Sequence, residues 1–200
     1  MPRTQYFCAM SLDGYIAEAD DTLDWLTKYE GSFRGEGAEP IAGSYDRFYE
    51  GVGALVSGSM TYEWVLEQLD AWPYAGKPCW ILSSRRLPKP EGAAEDEVQI
   101  VDGMVEDLYE QMVASAGDRN LWVVGGGNVA SQFANAGLLD ELLVTVVPVV
   151  LGEGKPLFDR RLPSGPMQLC GARPFDSGMV ELRYELASAS RKRRTQGYAP

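Results

Sequence analysis

The sequence predicts an α/β protein: one mixed, mainly parallel sheet with helices on both faces and an antiparallel edge at its C-terminal side. Three observations carry this expectation. Short apolar runs of strand character alternate with helical patterns as far as Gly152. Two further strand-like runs then follow with no helix between them. Several of the earlier runs end in small residues that lead directly into a helix or a polar loop, as strand-to-helix turns do.

Taken in order, Tyr6 to Met10 reads as a first strand, punctuated by Ser11-Leu12-Asp13-Gly14 before Tyr15-Ile16-Ala17 resumes the apolar run. Leu23, Trp25 and Leu26 sit among acids, Ser32 to Pro40 reads as a Gly- and Glu-rich loop, and Ser44 to Glu50 as a short helix. Ala54-Leu55-Val56 is a buried strand that Gly58-Ser59-Met60-Thr61 joins to a helix from Tyr62 to about Leu69. Cys79 to Leu82 and Val98 to Val101 are strands on either side of a charged loop, Glu91 to Glu97. Val105, Leu108, Met112 and Val113 recur at helical spacing within Val105 to Ala114. Leu121 to Val124 is a strand, Gly125-Gly126-Gly127-Asn128 its turn, and Val129 to Ala136 a helix stopped by Gly137. Leu142 to Val150, the longest apolar strand, is interrupted by Pro148. Met167 to Arg173 and Met179 to Leu186 form the closing antiparallel pair around Asp176-Ser177-Gly178. Residues 1–187 then read as one domain and residues 188–200, with Arg191-Lys192-Arg193-Arg194, as a basic disordered tail.

Composition narrows the chemistry. The chain has 200 residues, 45% hydrophobic and 24% charged, which suits one soluble domain. There is no histidine, so imidazole acid–base catalysis and histidine-ligated metals are excluded. The 3 cysteines, Cys8, Cys79 and Cys170, are far apart and each lies in an apolar run, which predicts buried thiols, no disulfide framework and no metal site. No apolar run approaches a membrane span, and the N-terminus is too short and polar for a secretory signal, so a cytoplasmic protein with no membrane partner is expected. A formal charge of −11, with much of the positive charge confined to the tail, argues against nucleic acid as a partner.

Three turns share one design: Gly58-Ser59-Met60-Thr61, Ser83-Ser84-Arg85 and Gly125-Gly126-Gly127-Asn128. In open α/β sheets ligands bind outside the carboxyl ends of strands. Free N–H groups at a helix start, together with the helix dipole, attract an anion. Two such starts can clamp one diphosphate, and the hydroxyls and arginines of the third suit a further phosphate. Each turn also has a plainer reading. Thr61 can be a helix N-cap, Arg85 and Arg86 solvent-facing charges, and the glycines a tight connection. Gly125, Gly127 and Ala130 match G-x-G-x-x-A, but Thr145-Val146-Val147 stand where a Rossmann site needs its ribose-binding acid.

Taken together, these segments resemble the dihydrofolate reductase superfamily, in its branch containing the C-terminal reductase domain of the bifunctional riboflavin-biosynthesis deaminase-reductase. The resemblance rests on Ala9 to Ala17, Ser57 to Glu63, Ile81 to Ser84, Val124 to Asn128 and Pro148 to Phe158, in family order over nearly the whole chain. It implies a three-layer dihydrofolate-reductase-like fold with NADPH lying across the strand ends, and hydride transfer to a pterin-like or ribosylamino-pyrimidine-like small molecule.

By matching position, the resemblance places Ala9 and Ile16 near the nicotinamide. It places Gly58, Met60 and Thr61 on one side of the diphosphate, and Gly125, Gly126, Gly127, Asn128, Val129 and Ala130 on the other. Ser83, Ser84 and Arg85 would surround the adenosine and its 2′-phosphate. Ser59 stands where the family commonly has a basic residue, so Arg85 or Arg86 would have to supply that charge. Dihydrofolate reductases proper carry a buried acid before the second strand; Asp46 lies in that region, as do Glu36 and Glu39. Asp13 either orders the loop over the substrate, contacts the substrate and supplies a proton, or is a turn residue before Gly14. Trp25 either stacks on a flat substrate or fills the core. The resemblance also implies a homodimer paired at the sheet edge, to which Leu142 to Val150 contributes unless that strand is buried within one copy. A rival reading is a nucleotide-binding module of the same fold without turnover. Deaminase chemistry is not expected, because the H-x-E and P-C-x-x-C zinc signature is absent.

Overall fold

β-Branched and aromatic residues in short runs make the strands, and the computed structural model describes them within residues 2–32, 37–163 and 165–186. In chain order the elements are β1 (Thr4–Ser11), β2 (Tyr15–Ala17), α1 (Asp24–Thr27), α2 (Ser44–Glu50), β3 (Val52–Gly58), α3 (Ser59–Gln68), β4 (Cys79–Leu82) and β5 (Val98–Val101). They continue with α4 (Val105–Ala116), β6 (Asn120–Gly125), α5 (Gly127–Asn135), β7 (Glu141–Val147), β8 (Lys155–Pro156), β9 (Gln168–Pro174) and β10 (Val180–Glu185). The expected α/β architecture is present. An 8-stranded sheet runs β5-β4-β3-β6-β1-β7-β10-β9, and β2 and β8 form a separate two-stranded ribbon. β5 through β7 are mutually parallel, while β10 is antiparallel to both β7 and β9.

Period-two alternation sends side chains to both faces of the sheet. From β6, Leu121 and Val123 join Met112, Ala116, Val129 and Phe133 of α4 and α5 on one face. Trp122 points the other way, to Leu55, Ile81 and Tyr62 of α3, with Phe48 and Tyr49 of α2 packed against them. Helices on both faces make three layers. With apolar residues on both faces, the central strands read as continuous hydrophobic runs.

Several details differ from the sequence reading. α3 and α5 begin at Ser59 and Gly127, before the expected starts, because Gly58 and Gly126 act as extended N-caps. β7 ends at Val147, one residue before Pro148, whose nitrogen has no hydrogen to donate. Flanked by β1 and β10, β7 is interior and offers no sheet edge; the edges are β5 and β9. Cys79 is buried and Cys8 half-buried, but Cys170 is exposed, because β9 is an edge strand whose Gln168 to Ala172 face solvent. Ribbon β2–β8 was not foreseen in Lys155-Pro156; it pairs Tyr15 with Pro156 and Ala17 with Lys155. The Glu141 carboxylate, fully buried, accepts hydrogen bonds from Arg3, Arg183 and Gln5, and so ties β1, β7 and β10 together. No helix among the described residues is long and apolar enough to cross a membrane. The expected tail of residues 188–200 lies outside the described residues, as does Glu36 of the Ser32 to Pro40 loop.

Candidate active-site cleft

Parallel pairing decides where the three turns fall. In register, Gly58 at the end of β3 faces Leu82 of β4, and Ser57 faces Gly125 of β6. The carboxyl ends of β4, β3 and β6 are therefore side by side, with β1 next in line. A cleft of about 590 Å³ opens over these tips. The two helices that start there abut one another: a Cβ at Gly58 would lie 3.2 Å from Val129 Cγ2, and one at Gly126 would lie 3.7 Å from Thr61 Oγ1.

Neither helix start carries a side-chain cap. Gly58 and Gly126 have no side chain, so the first N–H groups of α3 and α5 are left for a ligand. Thr61 is the third residue of α3, not its N-cap, and its hydroxyl faces the Gly125-Gly126 turn. Gly125 has φ 140°, a region costly for any side chain, and the Gly125–Gly126 peptide is cis. At Gly127 a Cβ would overlap the Pro156 carbonyl oxygen and sit 3.0 Å from that of Leu157. Only glycine lets the segment after β8 lie this close to the start of α5.

Of the residues singled out in the sequence, Ala9, Ile16, Gly58, Ser59, Met60, Thr61, Gly125, Gly126, Gly127, Asn128 and Val129 line this one cleft. Ala130 lies beneath it, fully buried in the core. Ser83, Ser84 and Arg85 are not part of the lining; from β4 only Leu82 reaches it. Arg85 instead makes a two-pronged pair with Glu63 of α3, at 3.1 and 2.6 Å, so its charge is already engaged.

Asp13, Trp25 and Asp46 also stand away from the lining. The Asp13 carboxylate accepts hydrogen bonds from Ser11 Oγ at 2.6 Å, Leu151 N at 3.1 Å and Gly152 N at 2.7 Å. The Ser11 hydrogen bond, helped by those two backbone N–H groups, holds Asp13 below the usual carboxylate range. Asp13 therefore stays ionised and fastens the turn after β1 to the 151–152 segment. Trp25 packs on the cluster of Val147, Phe175 and Met179, as the core reading of that residue expected. Its buried indole N–H has no hydrogen-bond partner among the described residues. Asp46 is exposed on the solvent side of α2, whose Phe48 and Tyr49 face the sheet. Glu39 bridges to Phe175 and pairs with Arg173, again away from the cleft.

The structure adds lining residues that the motifs did not mark. Tyr6 and Cys8 alternate with Phe7 on β1 and come to the floor. Burial raises the Cys8 thiol to about 12 and pushes the Tyr6 phenol well above its ordinary value, so both remain protonated. Leu23, Leu26, Trp64 and Tyr74 form an apolar side. Lys155 pairs with Asp21 at 3.4 Å across the mouth. Asp159 is held well below its ordinary value by hydrogen bonds from Arg160, Asn128 and Ser131. Period-two spacing could have found Tyr6 and Cys8; nothing local marks Tyr74, which arrives through a long loop.

Comparisons with known proteins agree with this fold. The model of the RibD C-terminal domain family matches residues 75–181. The chain is 31% identical over 182 residues to the uncharacterized protein YwjB of Bacillus subtilis (strain 168), covering 91% of this chain and 97% of that one. It is 30% identical over 156 residues to the riboflavin biosynthesis protein RibD of Corynebacterium ammoniagenes, covering 73% of this chain and 43% of RibD. Among solved structures, a riboflavin biosynthesis protein from Shewanella sp. PV-4 superposes with TM-score 0.74 at 31% identity, over 92% of this chain and 98% of that one. A deaminase/reductase from Thermotoga maritima shares the fold, with TM-score 0.63 at 16% identity over 92% of this chain and 56% of its own.

Proposed function

The chain belongs to the RibD C-terminal domain family, and on that premise we propose that it is an NADPH-dependent reductase acting on a pterin-like or ribosylamino-pyrimidine-like small molecule. The observation that carries this reading is the pair of uncapped helix N-termini, α3 and α5, abutting over adjacent parallel strand tips. Their N–H groups and dipoles suit a diphosphate, and glycine at 58, 125 and 126 leaves room for it to approach the backbone. The same cleft continues past Ala9 and Ile16 to Leu23 and Leu26, an apolar end that suits a nicotinamide and a flat acceptor. The residues present therefore fit the dinucleotide.

NADPH, held at the starts of α3 and α5, would supply the hydride and be left as NADP+, and the acceptor's C=N or C=O group would gain one C–H bond, its heteroatom taking a proton from water. The chain's own work is placement. The starts of α3 and α5 would hold the diphosphate, Ala9 and Ile16 would lie beside the nicotinamide, and the apolar end would keep bulk water from the reacting carbon. Asp13, held in its loop by Ser11, Leu151 and Gly152, stands outside the cleft lining. We also propose a homodimer, formed at the exposed edge strand β9, with a molar mass twice that of the chain by light scattering.

The test is direct. Calorimetric titration with NADPH should give one saturable site, and a panel of pterins and pyrimidines should include one that bleaches the nicotinamide absorbance. Absence of both NADPH and NADH binding would refute the reading. Nucleotide binding without oxidation of any panel member would favour the module without turnover.

A further inference from the structure

We infer that the acceptor is a flat, unphosphorylated heterocycle without negative charge. This rests on the reductase reading above and narrows its substrate. Leu23, Leu26, Trp64 and Tyr74 supply the apolar part of the cleft lining, which we take as its acceptor end. Tyr74 is backed edge-on by Trp122, with ring centroids 5.6 Å apart at 85°, so the wall is aromatic in depth. Aromatic faces hold planar rings by stacking and add no charge.

The charge census points the same way. Among the described residues the cleft is lined by two carboxylates, Asp21 and Asp159, and by one cation, Lys155. That cation is already paired with Asp21. The cation nearest the aromatic cluster, Lys77, donates to Val52 O at 2.6 Å, at the far, amino end of β3. Arg160 directs its Nε and Nη2 to Asp159 beside α5, at the diphosphate end. A phosphomonoester brings about 1.5 to 2 negative charges, and a deep site normally meets them with paired arginines or a helix start. Both free helix starts are taken by the nucleotide. A second phosphate at the acceptor end would thus meet Asp21 and the bound diphosphate, and among the described lining residues no unpaired cation.

The experiment uses the full chain saturated with NADP+ for binding and with NADPH for turnover. The probes are a ribosylamino-pyrimidine and its 5′-phosphate. The unphosphorylated form should bind, and react by kcat/KM, at least tenfold better. Equal or better use of the phosphate, or binding of neither form, overturns the inference. Trp64→Ala should raise KM for the unphosphorylated form at least fivefold with little change in NADPH affinity. Asp21→Asn, which releases Lys155, should shrink the tenfold preference; an unchanged preference in that variant, or an unchanged KM in Trp64→Ala, also counts against it. Nucleotide binding is read separately, so its loss would sink the reductase reading, whereas a bound nucleotide with a phosphate preference sinks this inference alone.

Discussion

Gly127→Ala tests the packing that shapes the cleft. The added methyl would overlap the Pro156 carbonyl oxygen and approach Leu157 O and C to 3.0 and 3.2 Å. These are backbone atoms, so neither rotamer change nor side-chain flexing relieves the clash, and α5 must move away from the segment after β8. Overpacking of this kind costs about 1–3 kcal/mol. Replacing glycine at the first turn of a helix returns at most about 1 kcal/mol. With that full return the net loss is up to about 2 kcal/mol, a fall of as much as roughly 8 °C in melting temperature for a domain of this size. On the proposed reading the displaced helix start also holds the diphosphate, so NADPH affinity should fall as well, by about tenfold for 1.4 kcal/mol of lost contact. Differential scanning calorimetry with and without NADPH reads both effects. Gly165→Ala is the control: its Cβ meets nothing within 4 Å. A Gly127→Ala protein that melts with the wild type and binds NADPH equally well would refute the account of the α5 start.

Three further outcomes follow from individual contacts. Glu63→Gln removes the carboxylate that engages Arg85, and should raise the preference for NADPH over NADH a few-fold in Kd measured by fluorescence; an unchanged ratio would mean that Arg85 does not reach the 2′-phosphate. At pH 8, iodoacetamide should modify Cys8 and Cys79 only slowly, since burial holds both near 12; mass spectrometry showing rapid labelling at Cys8 would contradict the burial. The third concerns Asp13, whose folded carboxyl titrates below its unfolded value of about 3.9, so its contribution is complete above that pH and disappears as pH falls through the lower folded value. Melting temperature should therefore drop more steeply in acid for the wild type than for Asp13→Asn, and parallel acid limbs would count against the loop-fastening role.

Local signals in the sequence reached most of the scaffold. β4, β5 and α2 fall where apolar runs and helical spacing put them, because each is decided by neighbours a few residues away. The chemistry of the turns was equally local, and eleven of the expected ligand contacts line one cleft. What escaped was set by distant partners. Ser83 to Arg85 looked like a phosphate site, but Glu63, on a different element, holds Arg85. Asp13 was open to a loop-ordering, a substrate or a turn role, and its partners Leu151 and Gly152, which no nearby pattern predicts, tie it into the loop. Cys170 lies in an apolar run, yet its strand takes the edge of the sheet, and position within a sheet is not encoded in the strand itself. The two-residue β8 has no periodicity to read; it exists because Tyr15 and Ala17 are there to pair with it.

β6 is sixth among the strands to be synthesised, yet it sits between the first and the third. Until residue 125 has emerged, β1 and β3 have no common neighbour, and the floor that a nucleotide would rest on does not exist. An incomplete chain should therefore bind no dinucleotide, and occupancy of the cleft should register the integrity of the whole sheet. Mass action makes that link quantitative: free ligand at a hundredfold over its dissociation constant adds about 2.7 kcal/mol to the folded state. In the cell, the supply of cofactor would then act as a quality filter on newly made copies, holding finished molecules together and leaving truncated ones to proteolysis.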